Sequence, residues 1–306
     1  MEALRSDLAD LYNRSLEVMP GKGDEALLAF TAVLCQGHIL IEDVPGMGKT
    51  TLVRFLARVM GFEMKRVQFT NDLLPGDILG VSVYRPENQQ FHFRPGPIFA
   101  ELLLADELNR APAKTQSALL QAMEERVVTV EGVNHPLPAA FTVMATQNPR
   151  GMAGTFPLPE SQLDRFLMKF PMGLPPREAE KALLAGPSRR DVVDHMSALF
   201  TPQKILAIQK EVTAVKASDA VLDYVLRLLE ESRRSTELRP LSPRAGLDVV
   251  RASRAWAWTH GRDYVLPEDV QHVFAAVVGH RLPLQEAGCA EEHRLGRALL
   301  AKVSVV

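Results

Sequence analysis

Four short stretches of this chain carry residue types suited to a phosphorylated ligand. In Pro45-Gly46-Met47-Gly48-Lys49-Thr50-Thr51 the two glycines let backbone N–H groups approach an anion without a Cβ in the way, and Lys49 supplies a point charge for the β and γ phosphates. The Thr50 hydroxyl is then in position to ligate Mg2+. In Asp106-Glu107 the first carboxylate suits a divalent cation held through its water shell, and the second suits a general base that polarises water. Asn148 offers an amide to that water or to a γ-phosphate. Arg244 follows a capping pair, Ser242-Pro243, which puts a cation in the first turn of a helix, where the helix dipole disfavours it. An anion must hold it there, either a nucleotide phosphate or a nearby acidic side chain.

These residues need elements to position them. His38-Ile39-Leu40-Ile41 reads as a short buried strand, while Leu52, Val53, Leu56, Val59 and Met60 recur at helical spacing. A strand enters the glycine loop and a helix leaves it, so the positive end of that helix faces the same anion. The usual pattern, GxxxxGK followed by Ser or Thr, begins with glycine, where this chain has Asp43. An ordinary strand-to-helix turn that carries Gly-Lys-Thr is the other reading these residues allow on their own. Leu102-Leu103-Leu104-Ala105 is apolar on every side, as a central parallel strand would be, and ends at Asp106-Glu107. Phe141 through Thr146 repeats that pattern ahead of Gln147-Asn148-Pro149, so both strands end where open α/β sheets bind ligands.

Residues 71–97 are dense in Gly and Pro around short alternating pieces, which predicts an inserted β-hairpin or, equally, a plain surface loop. A second small hairpin is expected across 127–138. From Pro171 the strand patterns stop, and Val221, Leu222, Val225, Leu226, Leu228 and Leu229 mark a strongly amphipathic helix. Two domains are expected, an α/β nucleotide-binding core over 1–172 and an all-helical domain over 173–306.

With 306 residues, 46% of them apolar, burial is not limiting for two cores. A formal charge of -2 gives no long-range attraction to nucleic acid, so nucleic acid is not an expected partner. Cys35 and Cys289 stand far apart with no metal or redox spacing around them, which fits a reduced compartment. No segment approaches the apolar length of a membrane span, and the N-terminus lacks a signal-peptide profile. A cytoplasmic protein without membrane insertion is expected.

Taken together, Gly46-Met47-Gly48-Lys49-Thr50, Leu103-Leu104-Ala105-Asp106-Glu107, Ala145-Thr146-Gln147-Asn148-Pro149, Leu163-Asp164-Arg165-Phe166 and Ser242-Pro243-Arg244 resemble the AAA+ ATPases. Asp106-Glu107-Leu108-Asn109-Arg110-Ala111 and Arg94-Pro95-Gly96-Pro97-Ile98 narrow the resemblance to the MoxR family. That resemblance implies an AAA+ αβα core with a five-stranded parallel sheet and β-hairpin inserts, followed by a helical lid. It implies an ATPase that uses ATP and Mg2+, with Lys49 and Thr50 in Walker A, Asp106 and Glu107 in Walker B, and Asn148 as sensor 1. Arg244 would be sensor 2, and Arg165 an arginine finger reaching the γ-phosphate of a neighbour in a ring, typically a hexamer. It also implies chaperone-like remodelling of protein clients, often with von Willebrand A domain partners. The departures are Asp43 and Lys22, where relatives often have Gln near the adenine. The rival readings are a nucleic-acid-stimulated motor related to replicative helicases, a nucleotide-gated scaffold and a small-molecule kinase.

Overall fold

The computed structural model describes residues 2–87, 89–149, 154–285 and 287–305, with the side chains of residues 2–6 left out. Two helices, α1 (Glu2–Val18) and α2 (Gly23–Leu34), lead into β1 (Ile39–Glu42), the glycine loop and α3 (Lys49–Met60). Then come β2 (Met64–Gln68), the short α4 (Pro75–Leu79), the hairpin β3 (Gly80–Arg85) and β4 (Gln90–Pro95), and β5 (Leu102–Asp106). A 3-10 turn and α5 (Ala113–Glu125) connect to a second hairpin, β6 (Val127–Val130) and β7 (Val133–Pro136). The sheet is completed by β8 (Thr142–Gln147), a one-turn α6 (Glu160–Leu163) and β9 (Met168–Phe170). After β9 the chain is helical: α7 (Arg177–Ala185), α8 (Arg189–His195), α9 (Pro202–Ala214), α10 (Asp219–Arg234), α11 (Pro243–Thr259), α12 (Pro267–Val278) and α13 (Cys289–Ala301).

The order β2-β5-β8-β1-β9, with every pairing parallel, gives the expected five-stranded sheet. Both expected hairpins formed as separate two-stranded ribbons. The strand periodicity of two splits the sheet's side chains between two apolar cores. Ile39, Ile41, Leu102, Leu104 and Met144 face one core with α2, α3 and the later helices. Leu40, Leu103, Ala105, Val143 and Ala145 face the other, with Leu119, Leu120 and Met123 of α5. Strands covered on both faces explain why β5 and β8 are buried at every position, while the edge strand β2 is fully buried at none. Removing one such leucine leaves a cavity worth roughly 2–5 kcal/mol.

Glu42, Lys169 and Glu292 lie inside this packing. The Lys169 ammonium, with no exposed side chain, sits 2.9 Å from Glu42 and 2.8 Å from Glu292 of α13. Burial alone would lower its pKa, but the two carboxylates outweigh burial and raise it. Glu42 also accepts the N–H of Cys289 at 3.1 Å, so the first turn of α13 is fastened to the strand that enters the glycine loop. Sequence patterning gave the last twenty or so residues no role, because this contact spans almost the whole chain.

Among the described residues, no helix is long and apolar enough to cross a membrane. Ser188 is the N-cap of α8, so only a short turn separates α7 from α8.

Candidate active site

Because all five strands run parallel, the sheet has one carboxyl edge and one amino edge. The strand ends of β1, β5 and β8 bring the glycine loop, Asp106-Glu107 and Asn148 to the carboxyl edge together. Gly46 and Gly48 adopt φ of +88° and +84°, which an L-residue enters only with strain, and a Cβ on either would meet nothing within 4 Å. The loop is therefore an open cradle of N–H groups at the N-terminus of α3, where Gly48 offers no capping side chain. Thr50 and Thr51 begin that helix, and Met47 packs partly against the core.

Asp43, the departure from the glycine pattern, does not have a positive φ. Its carboxylate accepts the Val44 N–H at 2.8 Å and the Gly173 N–H at 2.7 Å. No glycine is required at that position, and an acid there ties the loop to the segment after β9. Lys22 grips the same segment, donating to the Met172 carbonyl and, at 3.4 Å, to that of Leu174, besides pairing with Glu25 at 3.2 Å.

Lys49 donates to the carbonyl of Asp43 and, at 3.3 Å, to that of Val44. Burial lowers its pKa, opposed by the nearby carboxylates of Asp43, Asp106, Glu107 and Glu42. Lys49 also reaches the Gln147 carbonyl at the end of β8 at 3.5 Å, and a desolvated ammonium holding backbone carbonyls is ready to exchange them for a phosphate.

Thr146 organises the acids. Its hydroxyl donates to Asp106 at 2.6 Å and accepts the Glu107 N–H at 2.9 Å. Asp106 also takes Arg66 of β2 at 2.7 Å, and Glu107 takes Arg110 at 2.8 Å. Asn148 reaches Glu107 at 3.4 Å, so the amide and the second acid face one volume. Glu107 has φ +57°, and a left-handed glutamate at a strand end is the kind of strain that active sites hold. A polar residue inside the buried β8 run was a signal for Thr146. Nothing local marked Arg66 or Arg110 as partners.

Arg165 and Arg244 are not at this edge. Arg165 lies between α6 and the start of β9, and a cavity of about 200 Å³ is lined by Arg165 and Arg244 together with Gln36, Gly37, His38 and Leu167. Those four precede β1 and β9, so both arginines sit at the amino edge. Even β1, four residues long, separates the two edges by about 13 Å of strand. Arg165 donates to the Leu120 carbonyl at 2.8 Å and pairs with Glu124 at 2.5 Å. Arg244 reaches Glu124 and Asp164, each at 3.8 Å. Ser242 caps α11 as expected, accepting the Ala245 N–H at 3.3 Å. Within one subunit, then, Glu124 and Asp164 are the anions that face Arg244. The helical region is fixed in this pose by Arg281, buried between Asp164 at 2.7 Å and Asp248 at 2.8 Å.

His38 braces the same edge. Its Nδ1 accepts the Val143 N–H at 2.9 Å, which leaves the proton on Nε2, 3.2 Å from the Met123 carbonyl. Burial, with Arg126 adding repulsion, pushes its pKa down to about 3.

Comparisons with known proteins agree with this fold. The family model described as ATPase family associated with various cellular activities matches residues 38–168, and the AAA lid domain matches residues 232–296. Chaperone MoxR1 of Mycobacterium tuberculosis is 41% identical over 271 residues, covering 85% of this chain and 71% of that protein. The uncharacterised protein YeaC of Bacillus subtilis is 43% identical over 287 residues, covering 92% of this chain and 90% of its own. A solved structure from Cytophaga hutchinsonii superposes with a TM-score of 0.84 at 33% identity, covering 98% of this chain and 95% of that one.

Proposed function

The chain belongs to the MoxR family of AAA+ ATPases, and from that premise we propose that it hydrolyses Mg2+-bound ATP at sites shared between neighbouring subunits, and that it couples hydrolysis to remodelling of protein clients. The observation that carries this reading is the division of the site between the two edges of one sheet.

At the carboxyl edge the loop N–H groups of residues 45–51 and the N-terminus of α3 bind the phosphates, and Lys49 exchanges its carbonyl partners for them. Thr50 and Asp106 would hold Mg2+, which neutralises phosphate charge when bound. Glu107 takes the proton of the attacking water, with Asn148 fixing the water and the carboxylate relative to each other. The stabilising cations for the γ-phosphate, Arg165 and Arg244, cannot be supplied by the same subunit, because they stand at the amino edge. A head-to-tail neighbour supplies them, and a heterologous contact of this kind closes into a ring, which we take to be the hexamer typical of the family.

The client-facing surface is the first hairpin, where Val81, Val83, Tyr84 and Phe91 are exposed on a ribbon that projects from the core. Remodelling of clients is supported by the chaperone relative, and a von Willebrand A domain partner follows from the family resemblance alone.

Phosphate release tests the hydrolytic assignment. Glu107→Gln should retain ATP binding and lose about 10²–10⁴ in turnover. Wild-type turnover in that variant would remove Glu107 from the mechanism.

A further inference from the structure

Two residues at the amino edge stand at the wrong ends of their helices. Arg244 is in the first turn of α11, where the dipole disfavours a cation, and Glu124 is in the last turn of α5, where it disfavours an anion. Each relieves the other, and Glu124 reaches both arginines. One oxygen lies 2.5 Å from Arg165 Nη1 and the other 3.8 Å from Arg244 Nη1.

We propose that Glu124 is a positioning residue that aims Arg165 and Arg244, as a pair, at a neighbouring subunit's γ-phosphate. This rests on the reading that the two arginines act in trans. Arg165 uses Nη1 for Glu124 and also for the Leu120 carbonyl at 2.8 Å, one helical turn earlier on α5. Among the described residues, Nε and Nη2 of Arg165 make no hydrogen bond. The guanidinium is thus held by one nitrogen and presents a two-donor edge, the geometry that recognises a phosphate in bidentate fashion.

Charge points the same way. Two guanidinium groups side by side repel, and Glu124 with Asp164 offsets them before any phosphate arrives. The pair is half-exposed, with Arg165 at 29% and Glu124 at 46%, so it adds little to folding stability. Its value lies in restricting a long side chain that would otherwise sample many rotamers.

The test uses full-length Glu124→Ala and Glu124→Gln beside Arg165→Ala, reading turnover against ATP concentration, melting temperature, and ATP affinity in the Glu107→Gln background. Glu124→Ala should lower kcat about 10-fold, a cost in the range of small misplacements of a catalytic group, with KM and ATP affinity within about 2-fold. Glu124→Gln keeps an acceptor oxygen for Nη1 and should recover most of the loss. Glu124→Ala added to a variant that lacks both arginines, Arg165→Ala with Arg244→Ala, should cost nothing further. A Glu124→Ala enzyme with wild-type kcat, or a loss on adding Glu124→Ala beyond that of the variant lacking both arginines, would overturn the proposal. So would equal losses in the Ala and Gln variants. If Arg165→Ala itself turns over normally, the trans reading fails first.

Discussion

At the carboxyl edge of the sheet the reactive groups are acids held by arginines: Asp106 by Arg66 at 2.7 Å and Glu107 by Arg110 at 2.8 Å. At the amino edge they are arginines held by acids: Arg165 by Glu124 at 2.5 Å and Arg244 by Glu124 and Asp164 at 3.8 Å. Each edge is neutralised internally in a single subunit, and in the proposed reading each is half of a site. The contrast shows why assembly and catalysis would be coupled. On that reading, a nucleotide at one subunit's carboxyl edge would give the arginines of the next subunit's amino edge a stronger anion than the carboxylates they already hold.

Variants that damage one edge at a time test the division, and the largest effect should come from the amino edge. Arg165→Ala should lower kcat by about 10³ or more while ATP affinity stays intact. Mixing it with Glu107→Gln subunits should restore some turnover, because the intact Glu107 edge of one then faces the intact Arg165 edge of the other. Failure of mixing at every ratio would break the comparison.

Lys49→Ala attacks the carboxyl edge. It removes a charged partner of the phosphates, so ATP binding should weaken about 10–100-fold, and no mixture with Arg165→Ala should repair that subunit's own binding. Calorimetric titration with a non-hydrolysable ATP analogue reads this directly.

A smaller effect comes from His38, which braces the amino edge. Its folded pKa of about 3 lies below the ordinary 6.5, so between those values the unfolded chain binds more protons and stability rises with pH. The contribution is complete above about 6.5 and is lost as pH falls toward 3. His38→Gln should flatten the melting temperature against pH between about 6.5 and 4.5. An unchanged slope would mean that another group carries the acid sensitivity.

The smallest effect is expected at Asp43. Asp43→Gly would restore the usual loop pattern yet lose the acceptors for Val44 and Gly173, a cost of about 1–2 kcal/mol in stability with turnover close to wild type. A gain in stability would show that glycine suits that backbone better than an acid does.

The sequence by itself determined the glycine loop, the acid pair, Asn148 and the sheet that gathers them. Each depends on local rules: positive φ at Gly46 and Gly48, runs apolar on both faces, and acid and amide groups placed at strand ends. The cap at Ser242 was equally local. What the chain order could not give was which sheet edge Arg244 joins, what Asp43 does, or that Glu124 stands between two arginines. Those facts depend on how the helical region docks on the core, through Arg281 between Asp164 and Asp248 and α13 against Glu42. Such contacts join residues dozens to hundreds of positions apart, and no periodicity or spacing rule encodes them. That the acids and the arginines stand at opposite edges of one sheet follows from the docked fold alone.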